Sequence, residues 1–168
     1  MEKITKEVEE TLLAVENTLS KFDATEINIV PFKESWTAGQ LAEHVILANS
    51  GFLQVINGPV TETDKPADMM VAQMRNDLLN FSVKFNSPDE ICPEIRLYSQ
   101  HVLLARLKEI RNEISIATTS LDLTKTCSAF KWPVYGFLTR LEIVFFVIYH
   151  TRRHVHQLVN IYTGLNTN

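Results

Sequence analysis

TRLEIVFFVIYHTRRHVHQLVNIYTG, residues 139–164, is the most informative stretch of the chain. Thr139 and Glu142 have the spacing of a capping box, in which the hydroxyl accepts an N–H of the first turn and the carboxylate reaches back to the threonine N–H. Ile143, Val147, Leu158 and Ile161 stand three, four or seven residues from His150 or His154, the spacing of one helix face. The reading is a helix from Thr139 to about Tyr162, with Gly164 as its C-cap. Its apolar face carries two imidazoles one turn apart.

Upstream the same period recurs. Ile4, Val8, Leu12, Val15 and Leu19 form one stripe, predicting a first helix over about 3–22. Residues 23–35 read as a connection, extended before Pro31. Thr37 and Gln40 make a second capping box, opening a helix that carries Leu41, His44, Val45, Leu47, Ala48, Phe52 and Val55 and stops at Asn57-Gly58-Pro59. A shorter helical piece is expected over 66–81, a proline-bearing loop over 82–96 and a long helix over 97–120. With only five glycines and six prolines, this reads as an all-α chain: a single domain spanning 1–168, with four long helices as a four-helix bundle and one additional short helix.

The composition, 45% hydrophobic and 21% charged, is that of an ordinary globular domain. A net charge of −4 with scattered basic residues argues against nucleic acid as a partner. The opening MEKITKEVEETLLAVENTL lacks the apolar core of a signal peptide, and the longest apolar run, Ile143 to Tyr149, falls far short of the roughly 20 residues that span a bilayer. Cys92 and Cys127 match no metal or redox spacing. A cytoplasmic protein with no membrane partner and no disulfide is therefore expected.

Five histidines are present: His44, His101, His150, His154 and His156. Neutral imidazole is a good ligand for zinc, nickel, copper or iron. Two imidazoles one turn apart can share one ion, and His44, on the apolar face of another helix, would supply a third ligand. Three protein ligands leave coordination positions open for water or substrate, as in catalytic sites. The bland alternative is a set of hydrogen-bonded core histidines. The sequence His150-Thr151-Arg152-Arg153-His154 lacks the glutamate of a zinc-protease helix.

Two segments carry a family resemblance. Trp36-Thr37-Ala38-Gly39-Gln40-Leu41-Ala42-Glu43-His44 resembles the segment bearing the first ligand in the DinB-like superfamily. Leu138 to Glu142, followed by Tyr149 to Gln157, resembles that family's last helix. The resemblance implies an up-down-down-up four-helix bundle, often dimeric, holding one divalent ion through His44, His150 and His154. It also implies a branch that transfers low-molecular-weight thiols such as bacillithiol or mycothiol to electrophiles, a maleylpyruvate-isomerising branch and metal-dependent hydrolases. Thr151 departs from the family, where aspartate is frequent.

Other residues carry weaker signals. Glu43 is expected on a solvated face, with support or base chemistry for the site as the alternative. Gln40 is expected to complete its cap, and Gln157 either to bond a ligand imidazole or to sit at the bundle edge. Arg152 and Arg153 are expected on the helix surface, with an anionic substrate as the alternative partner. His156 shares their face, and His101 has no partner at ligand spacing. Trp36, Trp132, Tyr135 and Phe137 either line a pocket mouth or pack in the core, Trp36 as a staple on its helix. Neither cysteine has a basic neighbour that would make it a nucleophile.

The leading expectation is an enzyme acting on a small-molecule substrate. Its cofactors would be a divalent metal ion, zinc or nickel first, and an exogenous low-molecular-weight thiol; a homodimer is the expected assembly. The alternatives are a metal-dependent hydrolase, a metal- or ligand-binding module without turnover, and a plain helical protein.

Overall fold

The computed structural model describes residues 2–166. Among these residues five α-helices form: α1 (Glu2–Leu19), α2 (Ala38–Asn57), α3 (Val71–Leu78), α4 (Gln100–Ser120) and α5 (Arg140–Asn166). Two-residue strands β1 (Val60–Thr61) and β2 (Thr126–Cys127) pair antiparallel, Val60 opposite Cys127. The described residues are all-α apart from this clip, which periodicity over two residues could not have revealed.

α1 and α2 each pack against both α4 and α5, and the short α3 lies on α5. The core is the sum of the apolar stripes: Val8, Leu12, Val15 and Leu19 of α1, Leu103, Leu107, Ile110 and Ile114 of α4, and Ile143, Val147, Leu158 and Ile161 of α5. Each such side chain, fully buried, contributes about 1.5–3 kcal/mol before chain entropy is charged against it.

Both capping boxes are formed. Gln40 N–H donates to Thr37 Oγ1 (3.1 Å) and Thr37 N–H to Gln40 Oε1 (3.0 Å). Glu142 N–H donates to Thr139 Oγ1 (3.1 Å) and Thr139 N–H to Glu142 Oε2 (2.8 Å). Glu142 is wholly buried, and its other oxygen accepts the Met70 N–H (2.8 Å), tying the turn before α3 to the start of α5.

The boundaries differ from expectation for tertiary reasons. α1 ends at Leu19, not near 22, because the Gln100 side-chain amide of α4 donates to the carbonyls of Leu19 and Phe22. α4 starts at Gln100, not 97, because the Asn28 side chain takes both backbone groups of Tyr98, accepting its N–H at 2.8 Å and donating to its carbonyl at 3.0 Å. Of the expected helical piece over 66–81, only Val71–Leu78 is helical. Gly164 does not end α5, which runs on to Asn166. A Cβ at Gly164 would lie 2.6 Å from the Phe32 ring, so this glycine permits close packing where a C-cap was expected.

Candidate metal centre

The helix faces bring three of the five histidines together. His150 and His154 leave the inner face of α5, and His44 leaves the facing surface of α2. Their rings stand 4.3–5.4 Å apart between centroids, and one nitrogen from each lies within 4.8 Å of the others. The Nε2 atoms of His150 and His154 are 3.0 Å apart. Two nitrogens bound tetrahedrally at about 2.0–2.1 Å from one ion would stand about 3.3 Å apart, so the pair needs only a small adjustment to share one.

The other ring nitrogens fix the orientation. His44 Nδ1–H donates to the Ile91 carbonyl (2.9 Å), with Ser87 Oγ at 3.4 Å. His154 Nδ1–H donates to Gln157 Oε1 (2.6 Å). These bonds place the proton on Nδ1 and leave the Nε2 lone pairs facing the cluster. His150 Nδ1 is buried without a hydrogen-bond partner among the described residues, so beyond the Nε2 contact with His154 its ring is held by packing, against Phe52 (5.6 Å) and Phe146 (6.0 Å).

Burial, with the neighbouring imidazoles, keeps the cluster in its neutral form. His154 is lowered from 6.5 to about 3, first by burial and then by His44. His150 is held well below its usual range by burial and by both other rings, and His44 is lowered by burial against the opposing effect of its Ile91 bond. Neutral imidazole is the form that donates a lone pair to a metal, so the donor chemistry fits a divalent cation.

The neighbours divide more sharply than the sequence indicated. Glu43, expected in solvent, is only 7% exposed because α4 covers that side of α2; it receives Arg106 Nη1 at 2.5 Å and Arg96 Nη2 at 3.8 Å, and these arginines, not an imidazole, are its partners. Arg153, expected on the surface, is also 7% exposed because α3 and the loop after it pack over α5. Its guanidinium donates to the carbonyls of Leu78 (3.1 Å), Asn80 (2.9 Å) and Val83, and lies 4.8 Å from the Phe85 ring. Arg152 does lie at the edge, paired with Glu7 (2.9 Å). Gln40 completes its cap, and Gln157 bonds an imidazole.

His101 and His156 are exposed and stand outside the cluster, His156 stacked on Phe81 at 4.2 Å. Trp36 lies 5.1 Å from the His44 ring. Trp132 and Tyr135 reach the cluster only through Phe146, at 6.3 and 6.1 Å, while Phe137 is exposed. Cys92 is exposed, and burial pushes the Cys127 thiol upward, away from reactivity. Thr151 is buried and its Oγ1 has no hydrogen-bond partner among the described residues. Sequence reasoning missed Phe52, Phe146, Ser87 and Ile91 as parts of the site. Phe146 was legible in principle, one turn before His150; the Ile91 contribution is a backbone carbonyl and leaves no side-chain signal.

Fold and cluster together define an all-helical protein with a buried three-imidazole centre. The model of the DinB superfamily matches residues 7–158, nearly the whole chain, and the chain belongs to that superfamily. No curated protein and no solved structure matches it.

Proposed function

We propose that His44, His150 and His154 hold one divalent metal ion, zinc or nickel first, and that the protein is a metal-dependent enzyme transferring a low-molecular-weight thiol to a small electrophile. The observation that carries this reading is the convergence of three neutral imidazoles from two helices, two of them oriented through Nδ1. A bound ion would supply Lewis acidity, holding a thiol as thiolate at neutral pH. The chain's own residues present the three lone pairs, fix two rings through Ile91 and Gln157, and wall the cluster with Trp36, Phe52 and Phe146.

Thiol transfer is favoured over hydrolysis by what accompanies the imidazoles. Among the described residues no carboxylate joins the cluster, and Glu43, the nearest in sequence, is engaged by two arginines. Water starts from a pKa of about 15.7 and a thiol from about 8.5, so a site without a protein base suits the thiol. The test begins with elemental analysis of protein purified without a histidine tag. Bacillithiol, mycothiol, glutathione and cysteine are then each supplied with monobromobimane. Metal near one equivalent and a thiol-dependent conjugation rate that falls on chelation are expected. Metal without conjugation would leave a hydrolase or a binding module, and absence of metal would overturn the proposal.

A further inference from the structure

On another side of α5 lies a groove that the histidine cluster does not use. Leu141, Phe145, Tyr149 and Arg152, spaced by three and four residues, form its floor, and the first turn of α1, α3 and the segment after α4 form its walls. Its volume is about 1000 Å³, at the upper end of the roughly 300–1000 Å³ of small-molecule sites. Ile4, Leu121, Leu123 and Phe145 give it an apolar lining.

Its polar groups are unequally satisfied. Glu7 is neutralised by Arg152 at 2.9 Å, and Asp122 accepts from the N–H and hydroxyl of Thr124 and faces Lys125 at 3.7 Å. Arg75 of α3 and Lys3 of α1 line the same groove and form no ion pair with any described residue. Tyr149 is largely buried, but its hydroxyl is open to the groove and makes no hydrogen bond to any described residue. Lys3 and Ile4 also belong to the first turn of α1, the partially positive end of a helix.

We propose that this groove binds an amphipathic organic carboxylate, its head group on Arg75 and Tyr149 and its apolar body along Ile4, Leu121, Leu123 and Phe145. The charge complementarity selects the ligand class. Both acidic residues are already paired, so the uncompensated charge is positive, and the Tyr149 hydroxyl, open to the groove, can donate to an anion. Arginine forks onto carboxylates, and the apolar lining would be left wet by a small inorganic anion. The site is independent of the metal proposal, since neither Arg75 nor Tyr149 belongs to the imidazole cluster.

The experiment is calorimetric titration of chelator-treated full-length protein with decanoate, with decanol and with decyltrimethylammonium. Decanoate is expected to bind one to one, and the uncharged and cationic analogues at least about tenfold more weakly. Arg75→Gln is expected to weaken decanoate about tenfold, the loss of a charge-assisted contact, and Tyr149→Phe about fivefold. Arg75 is exposed, so its variant keeps the fold, which the melting curve verifies. His44→Ala should leave decanoate binding unchanged, separating this groove from the imidazoles. The proposal is overturned if decanoate does not bind, if decanol binds equally well, if Arg75→Gln has no effect, or if binding disappears in His44→Ala.

Discussion

His154 and His44 enter one cluster from different helices, and their rings are held by different means. His154 is fixed by Gln157, three residues along the same helix, at 2.6 Å. His44 is fixed by the Ile91 carbonyl, 47 residues away, on a segment outside the long helices. The first arrangement exists wherever α5 is helical. The second exists only while the segment between α3 and α4 stays in place, and Arg153 holds that segment by its carbonyls at Leu78, Asn80 and Val83. The hold on His154 is thus local to α5, whereas the hold on His44 depends on a loop closed by a residue next to His154.

That contrast sets the expected order of substitutions. Replacing any of the three imidazoles by alanine should have the largest effect, since a two-nitrogen site binds weakly and exchanges quickly. His150→Ala and His154→Ala should cost at least as much bound metal as His44→Ala, measured by elemental analysis under identical conditions. Full occupancy in His44→Ala would contradict the assignment of the α2 half.

Arg153→Ala comes next. Losing three charge-assisted hydrogen bonds beneath a loop should destabilise the fold by about 3 kcal/mol, read from denaturant midpoints. Amide exchange over 79–91 should accelerate more than exchange in α5; equal acceleration in both would erase the distinction between the halves. Gln157→Leu should leave the loop untouched and lower metal affinity by about 10- to 100-fold, the usual effect of removing the hydrogen bond behind a ligand imidazole. His156→Ala and His101→Ala should change bound metal hardly at all and stability by less than about 0.5 kcal/mol.

Acid should act on both halves. An imidazole whose pKa is lowered on folding contributes stability that is complete above its ordinary value of 6.5 and is lost as the pH falls toward the folded value, about 3 for His154. The sign is the same for His44 and His150, both lowered. Metal-free protein should therefore melt at progressively lower temperature below about pH 6.5, and protons should compete with metal as acidity rises toward the folded values. Chelation at neutral pH should lower the melting temperature, by about 2.7 kcal/mol of stability when free metal had stood at a hundred times its dissociation constant. An unchanged melting curve on chelation would count against a native site.

Patterns confined to one helix were legible in the linear chain. Both capping boxes, the apolar stripes and the inward aim of His44, His150 and His154 follow from a 3.6-residue period, which places residues three and four apart on one face whatever the rest of the molecule does. The Gln157 bond was legible as one of two readings for the same reason. Packing between segments distant in sequence settled the remainder. It ended α1 at the Gln100 amide, kept Gly164 within α5 against Phe32, buried Glu43 under two arginines of the α4 side, and buried Arg153 beneath a loop. In each of these cases the partner lies dozens of residues away, and a charged side chain on a helix reads the same from sequence whether it faces solvent or another segment's carbonyl groups. Burial by a distant segment has no period along the chain, so it becomes visible only once the helices are assembled.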